Sequence, residues 1–389
     1  MTLALLKPVL AAIHRRAVDA RFARFTRTWA EAAGSRPAPT RIIVSGFIND
    51  VLGIGQAGRL TVAAMSAQGF DVVTEDLRPL DRGLLTRRPV GLPDAPIWLI
   101  HANPPEARIA LLRHSHAIWQ DRYRIGYWVW ESSIAPDAWT ETARWFHEIW
   151  TPSQSARDAF AAAFEKGGRM ADIAKLRVLP HPVPAQPIRP SDNNAVRALT
   201  LFDPRSDFDR KNPRGAIDAW LMAFPTPGAG RLIVKSLAQA AGHPRFEALR
   251  ALAGHRPDIE FQAETLDARG TETLIAGCDI LISLHRAEGF GLPLAEAMAG
   301  GLAVIATGWS GNMQFMTAEN SIPLPYRLVP ASRAYNGPSA RWAEPDVPAA
   351  AEALRQLVGD AGLRQKLGQR AREDIAALSG AWVAGDLFA

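Results

Sequence analysis

The sequence predicts an α/β protein made of two successive domains, each a parallel sheet flanked by helices. Three observations carry this. First, residues 279–316 read as strand, loop, helix and strand. Residues 280–284 are a short apolar run, and residues 285–291 are polar with two glycines. Leu292, Leu294, Ala295, Met298 and Ala299 then recur at helical spacing, and residues 302–307 are apolar again. A helical connection of that length joins parallel neighbours. Second, the same alternation occurs on both sides of a proline-rich polar stretch ending near Asn194. Third, polar and glycine residues gather after strand ends in both halves, where open parallel sheets receive ligands.

A length of 389 residues suits two domains of ordinary size. The chain is 48% hydrophobic and 21% charged, and no apolar run approaches the roughly 18 residues that cross a bilayer, so a globular protein without a membrane span is expected. The single cysteine, Cys278, forms no intramolecular disulfide and builds no metal site by itself, which points to a reducing, cytoplasmic compartment. A net charge of +5 biases the chain mildly toward anionic partners such as nucleotide diphosphates or an acidic membrane face, and is too small to argue for nucleic acid.

In order, residues 1–40 form an N-terminal segment whose first 34 residues read as a basic amphipathic helix. Leu3, Leu10, Val18, Phe22, Phe25 and Trp29 alternate with Lys7, Arg15, Arg16, Arg21 and Arg24. Such a helix lies on an anionic inner-membrane surface or packs on the first domain. Residues 41–190 form that domain. Its first strand, residues 41–46, leads to a glycine-rich loop, Gly53-Ile54-Gly55-Gln56-Ala57-Gly58, and a helix over 60–68. The loop begins too far past the strand for a dinucleotide fingerprint, which counts against a dehydrogenase. Strands follow at 71–75 and 97–101, the second ending in His101. Residues 124–131, RIGYWVWE, read as a strand ending in Glu131, within a stretch holding six of the twelve tryptophans, most of them core. Residues 148–151 are a strand, Ser153 caps the next helix, and residues 177–184 close the domain, with His181 structural.

Residues 191–375 form the second domain. A strand at 198–202 precedes Asp203 to Pro213, where Arg205, Arg210 and Lys211 crowd before a helix; closely spaced cations after a strand end suit a diphosphate. Asp207-Phe208-Asp209 is a weak metal motif, because the same cations neutralise it, and no metal is expected. Strands at 231–236 and 258–262 follow, with Lys235 a weaker candidate, then a helix over 271–278 and the central unit. There, Gly289 and Gly291 allow close backbone approach to a ligand, the first helix amides are unpaired donors, and Glu288 and Glu296 face the same crevice. After Asn312 the chain reads as irregular, then as helix over 348–367 and on to about 377, with 376–389 as the tail.

The segment EGFGLPLAE, Glu288 to Glu296, with GLAVIATGWSGN after it, resembles the E-x7-E signature of the family 4 retaining glycosyltransferases. GYWVWE resembles a cleft-lining segment in one branch of that family, and the glycine-rich loop with Gly53 and Gly55 resembles its phosphate- or acceptor-facing loop. The resemblance implies the GT-B fold, two Rossmann-like domains facing across a cleft, with the last helix returning to the first domain. It implies a metal-independent, retaining enzyme that uses no cofactor. A sugar, a mannosyl-like hexose as first guess, would pass from a nucleotide-diphosphate donor to a glycan or lipid-linked glycan, in cell-surface polysaccharide synthesis. Lys211 with Arg205 or Arg210 would hold the diphosphate and Glu296 the ribose. Glu288 and the amides of Gly289, Phe290, Gly291 and Leu292 would hold the sugar and its β-phosphate, Glu131 would bind an acceptor hydroxyl, and His101 would border the cleft. The alternatives are another GT-B enzyme, such as a nucleotide-sugar epimerase, or a non-catalytic sugar-nucleotide-binding protein.

Overall fold

The computed structural model describes residues 16, 18–20, 22–24, 26–50, 53–79, 90–186, 195–204, 206–382, 387 and 388. The first fifteen residues, most of the expected linker, and Arg205 lie outside them.

The first sheet has six parallel strands: β1 (Arg41–Gly46), β2 (Asp71–Asp76), β3 (Ile97–His101), β4 (Tyr123–Tyr127), β5 (Glu148–Thr151) and β6 (Leu176–Val178), in the order β2-β1-β3-β4-β5-β6. Its long helices are α1 (Gly53–Ala67), α2 (Pro104–Arg113) and α3 (Gln154–Lys166). The second sheet has β7 (Arg197–Leu201), β8 (Arg231–Ser236), β9 (Ile259–Ala263), β10 (Ile280–Ser283), β11 (Ala303–Thr307) and β12 (Ile322–Leu324), also parallel, in the order β12-β11-β10-β7-β8-β9. Around it pack α4 (Pro213–Ala223), α5 (Pro244–Ala253), α6 (Ala268–Ala276), α7 (Leu292–Ala299), α8 (Val347–Gly359) and α9 (Ala361–Leu378). The central strands read as unbroken apolar runs because helices cover both faces: Ile97, Trp98, Leu99 and Ile100 of β3 are all fully buried.

Several sequence expectations need correction. The glycine-rich loop is not a loop: α1 begins at Gly53, so Gly53, Gly55 and Gly58 lie in its first two turns. Gly55 is required by packing, since a Cβ there would sit 2.3 Å from the Asp50 carbonyl oxygen and 2.6 Å from that of Phe47, while Gly53 faces open space. The strand expected over 124–131 stops at Tyr127; that over 177–184 stops at Val178, because Pro180 and the prolines after it cannot donate to a ladder. The single helix expected over 1–34 does not reach its end: residues 16, 18–20 and 22–24 are helical, Thr26–Thr28 is a 3-10 turn, and no helix continues from Trp29. Val18 and Phe22 are buried in the first core, with Phe22 edge-on to Trp29 and Trp145 at 5.9 and 4.7 Å.

The segment after Asn312 is not irregular. Beyond β12, β13 (Tyr326–Pro330) and β14 (Arg341–Pro345) form an antiparallel pair, and residues 331–340 between them reach the first domain. At the chain's end, Trp382 and Leu387 are buried with Ile42, Val44 and Leu99 of the first domain, and the Trp382 indole donates to the Pro180 carbonyl at 2.6 Å.

Candidate functional site

In the second sheet the strand order reverses between β7 and β10, the switch point at which open α/β sheets bind ligands. After β7, Asp207 caps one helical turn, Phe208–Lys211, its Oδ1 accepting from the amides of Asp209 (2.8 Å) and Arg210 (3.2 Å). Asn212 ends the turn in the left-handed region (φ 46°) and donates from Nδ2 to the Leu284 carbonyl at 2.8 Å, tying this turn to the loop after β10. After β10, the Glu288 amide donates to Ser310 Oγ at 2.8 Å. Gly291 (φ 92°) starts α7 without a side-chain cap. Pro293 has no N–H, and the Leu294 and Ala295 amides donate to the Gly291 carbonyl, which leaves the Leu292 amide as this turn's free donor among the described residues.

These loops bring two cations and two carboxylates together. Lys211 Nζ lies 2.5 Å from Glu288 Oε1, and Arg210 Nη1 donates to Glu288 Oε2 at 3.3 Å and to the Ala287 carbonyl at 2.8 Å. From the first domain, Glu131 Oε1 stands 3.8 Å from Arg210 Nη2. Arg210 is 5% exposed, and among the described residues its Nε has no hydrogen-bond partner. Burial opposes ionisation of Glu288, but Lys211 and Arg210 outweigh it and bring its pKa down to about 2. Glu131 is raised, chiefly by burial and further by Glu288, with Arg210 opposing. Lys211 is lowered, first by burial and then by Arg210.

Glu296, on α7, stands apart from this group. It faces α1 across the cleft, where Gln56 Nε2 lies 3.5 Å from its Oε1, and burial raises its pKa to about 7. Arg59 holds Gln56 by donating to its Oε1 at 2.9 Å. His101 is not in the ion cluster. It is fully buried, which brings its pKa down to about 4, and it packs on Tyr127 (4.4 Å) and His181 (5.9 Å). His181 in turn meets Phe290 edge-on at 5.0 Å.

Gly289 lies where the two domains meet. A Cβ there would sit 2.2 Å from Val129 Cγ1 and 3.6 Å from Glu131 Cγ, so the missing side chain lets the two domains touch. The Gly289 carbonyl accepts from Ser153 Oγ, the cap of α3, at 2.7 Å. The acids of the Asp-x-Asp pair have other partners: Asp207 caps its turn and accepts from Ser332 Oγ, while Asp209 pairs with Arg245. Lys235 donates to the carbonyls of Ser236 and Glu264.

Residues that sequence reasoning missed lie mostly on the 331–345 segment. Tyr335 packs on Trp130 at 5.1 Å with the Arg210 guanidinium 5.9 Å from its ring, and its pKa is raised to about 12, first by burial and then by Glu131. The Trp342 indole donates to the Glu131 carbonyl at 3.0 Å, the Arg341 amide to Ser133 Oγ at 2.9 Å, and Asn336 Nδ2 to the Ile134 carbonyl at 3.0 Å. No local spacing flags these residues, since their partners are some 200 positions away in the chain.

The two facing parallel-sheet domains and the cleft between them define a GT-B fold. The model of the family described as "Glycosyl transferases group 1" matches residues 231–360. HepE from Anabaena, solved with UDP and glucose, superposes with a TM-score of 0.62 at 13% identity, covering 89% of this chain and 98% of its own. Sucrose-phosphate synthase from Thermosynechococcus elongatus gives 0.61 at 14%, covering 90% and 98%. A mutant of TarM from S. aureus, solved with Fondaparinux, alpha-GlcNAc-glycerol and UDP, gives 0.56 at 11%, covering 75% of this chain and 55% of its own, so the present chain spans about half that protein's length. No curated protein matches the sequence.

Proposed function

We propose that this protein is a retaining, metal-independent glycosyltransferase that moves a sugar from a nucleotide-diphosphate donor to a glycan or glycolipid acceptor. One observation carries the reading: Arg210 and Lys211 converge after β7 at the sheet's switch point, and Arg210 keeps a buried donor without a partner. A diphosphate fills such a place, because its charge is met there before and after the sugar bond breaks. The match to the glycosyltransferase family model over 231–360 and the UDP held by HepE and TarM support this.

In this reading Lys211 and Arg210 grip the diphosphate, with Arg205 as a further cation of the same loop. Glu296 accepts from ribose hydroxyls. Glu288 with the amides of the 289–292 loop orients the sugar, and Glu131 meets the acceptor hydroxyl. Glu288 is bonded to two cations and is a poor nucleophile, so the departing phosphate takes the acceptor's proton and the new bond forms on the face the old one leaves. A mannosyl-like hexose and a role in cell-surface polysaccharide synthesis at the cytoplasmic membrane face complete the proposal.

Among the described residues no helix is long and apolar enough to cross a membrane. Val18 and Phe22 are buried while Arg16 and Arg24 are exposed, so attachment through residues 16–24 rests on charge. Co-sedimentation should occur with anionic and not zwitterionic liposomes and be lost at high salt; salt-resistant binding would exclude this mode.

The test of function is incubation of the full chain with labelled UDP-glucose, UDP-N-acetylglucosamine and GDP-mannose, with and without glycan acceptors, in EDTA. Acceptor-dependent release of the nucleoside diphosphate with retained anomeric configuration is expected. Epimerised donor without acceptor, or binding without turnover, would reject the assignment.

A further inference from the structure

The cluster, buried at Arg210 and Glu288 and half-buried at Lys211 and Glu131, is electrically closed before any ligand arrives: Arg210 and Lys211 contribute two positive charges, Glu131 and Glu288 two negative ones. The diphosphate of a nucleotide sugar brings two more negative charges into this low-dielectric place, where unbalanced charge is strongly disfavoured. Building on the donor site proposed above, we propose that Glu131 is the cluster's exchangeable carboxylate: the diphosphate takes its place on Arg210, and Glu131 then carries a proton drawn from solvent, which offsets one of the two added charges.

The geometry distinguishes the two acids. Glu288 is bonded through both oxygens, to Lys211 at 2.5 Å and Arg210 at 3.3 Å, and its amide is anchored on Ser310. The ion pair of Glu131 with Arg210 is long, 3.8 Å, and the Glu131 side chain keeps 24% of its surface exposed. Its main chain is held by Trp342, so the carboxyl can turn away while the backbone stays. The groups around it offer no substitute charge. Lys211 shares its charge with Glu288, and Arg286 is held by both oxygens of Glu344 at 2.6 and 2.9 Å. His285, fully buried between Ser283 and Asn312, has its pKa lowered to about 4 and stays neutral. Tyr335 and Asp207 add no positive charge. Burial and Glu288 already favour the protonated form of Glu131, whereas Glu288 resists protonation. Arg210 Nε gives the incoming phosphate a donor that Glu131 does not use.

Two consequences follow. Donor affinity falls as pH rises through the window between the free-state and bound-state pKa of Glu131, by up to about tenfold per pH unit for one linked proton. Protonated Glu131 also donates a hydrogen bond to phosphate or acceptor oxygen and cannot take the acceptor's proton.

The test is titration calorimetry of UDP and GDP into the full chain, across pH and in buffers of different ionisation enthalpy, comparing wild type with Glu131→Gln and Glu131→Ala. The nucleotide's own phosphate titration is common to all three and cancels in the difference. Wild type should take up about half to one proton more per nucleotide than either variant, and both variants should bind at least as tightly with a flatter pH profile. Equal proton uptake in all three, or a tenfold loss of affinity in a variant that keeps the wild-type circular dichroism spectrum, would overturn the inference. Failure of wild type to bind any nucleoside diphosphate would instead remove the donor reading itself, and this inference with it.

Discussion

The ammonium of Lys211 lies 2.5 Å from Oε1 of Glu288, joining the end of a capped turn after β7 to a loop after β10, 77 residues further along. The bond exists because β7 and β10 are neighbours in the sheet although three strands apart in order of appearance. It places the strongest candidate cation of the first loop on the first glutamate of the E-x7-E segment.

Lys211→Ala should lose at least about a hundredfold in kcat/KM, the scale of removing one preorganised charge from a transition state; near-wild-type turnover on the donor identified would reject the diphosphate role. The same variant should also respond less steeply to acid. The Glu288 pKa is depressed to about 2 from 4.5, so its contribution to stability is present above 4.5 and is lost as pH falls toward 2. Without Lys211 that depression shrinks, so the variant should be less stable than wild type above pH 4.5, and the difference in melting followed by circular dichroism should narrow as pH falls toward 2.

Glu296 has the opposite sign. Its pKa is raised to about 7 by burial, so the contribution of its protonated form is full below 4.5 and is lost as pH rises from 4.5 to 7. Glu296→Gln should therefore melt close to wild type below that window and higher than wild type above it. Parallel melting curves across the range would mean that this carboxyl is well solvated.

Gly289→Ala should force the domains apart, because its Cβ would sit 2.2 Å from Val129 Cγ1. Overpacking of this kind costs roughly 1–3 kcal/mol. Val129→Ala should restore much of the loss in the double variant, and strictly additive melting temperatures would show that the two residues do not meet.

Trp342→Phe removes the indole donor to the Glu131 carbonyl while keeping an aromatic ring. A loss of about 1–3 kcal/mol in denaturant stability is expected for leaving that acceptor unpaired, together with a weakened acceptor KM at little cost in nucleotide affinity. Equal weakening for nucleotide and acceptor would show that the 331–345 segment supports the whole cleft rather than Glu131.

The central strands and their order of appearance were legible because burial on both faces demands unbroken apolar runs and because helices between them repeat at 3.6 residues. Strands Arg41–Gly46, Ile97–His101, Glu148–Thr151 and Arg231–Ser236 are found where the pattern predicts them. So is Ser153 as the cap of α3, with its hydroxyl accepting from the Ala156 amide. The start of α1 was misread because three glycines resemble a loop, although Gly55 is there so that the helix can approach the Phe47 and Asp50 carbonyls. The β13–β14 pair was missed because its short strands and prolines carry no periodicity of their own.

Residue type and position relative to strand ends therefore determined which side chains compete for a role: Glu288 and Glu296 flanking a helix start, Arg210 and Lys211 after a strand, Glu131 after another. Only the tertiary structure decided their company. Glu288 joined the cations while Glu296 turned to Gln56 of the other domain, His101 was buried among rings, and Gly289 became a point of contact between domains. Local propensity acts over a few residues, whereas charge neutralisation and close packing depend on which distant loops the sheet order brings within about 4 Å.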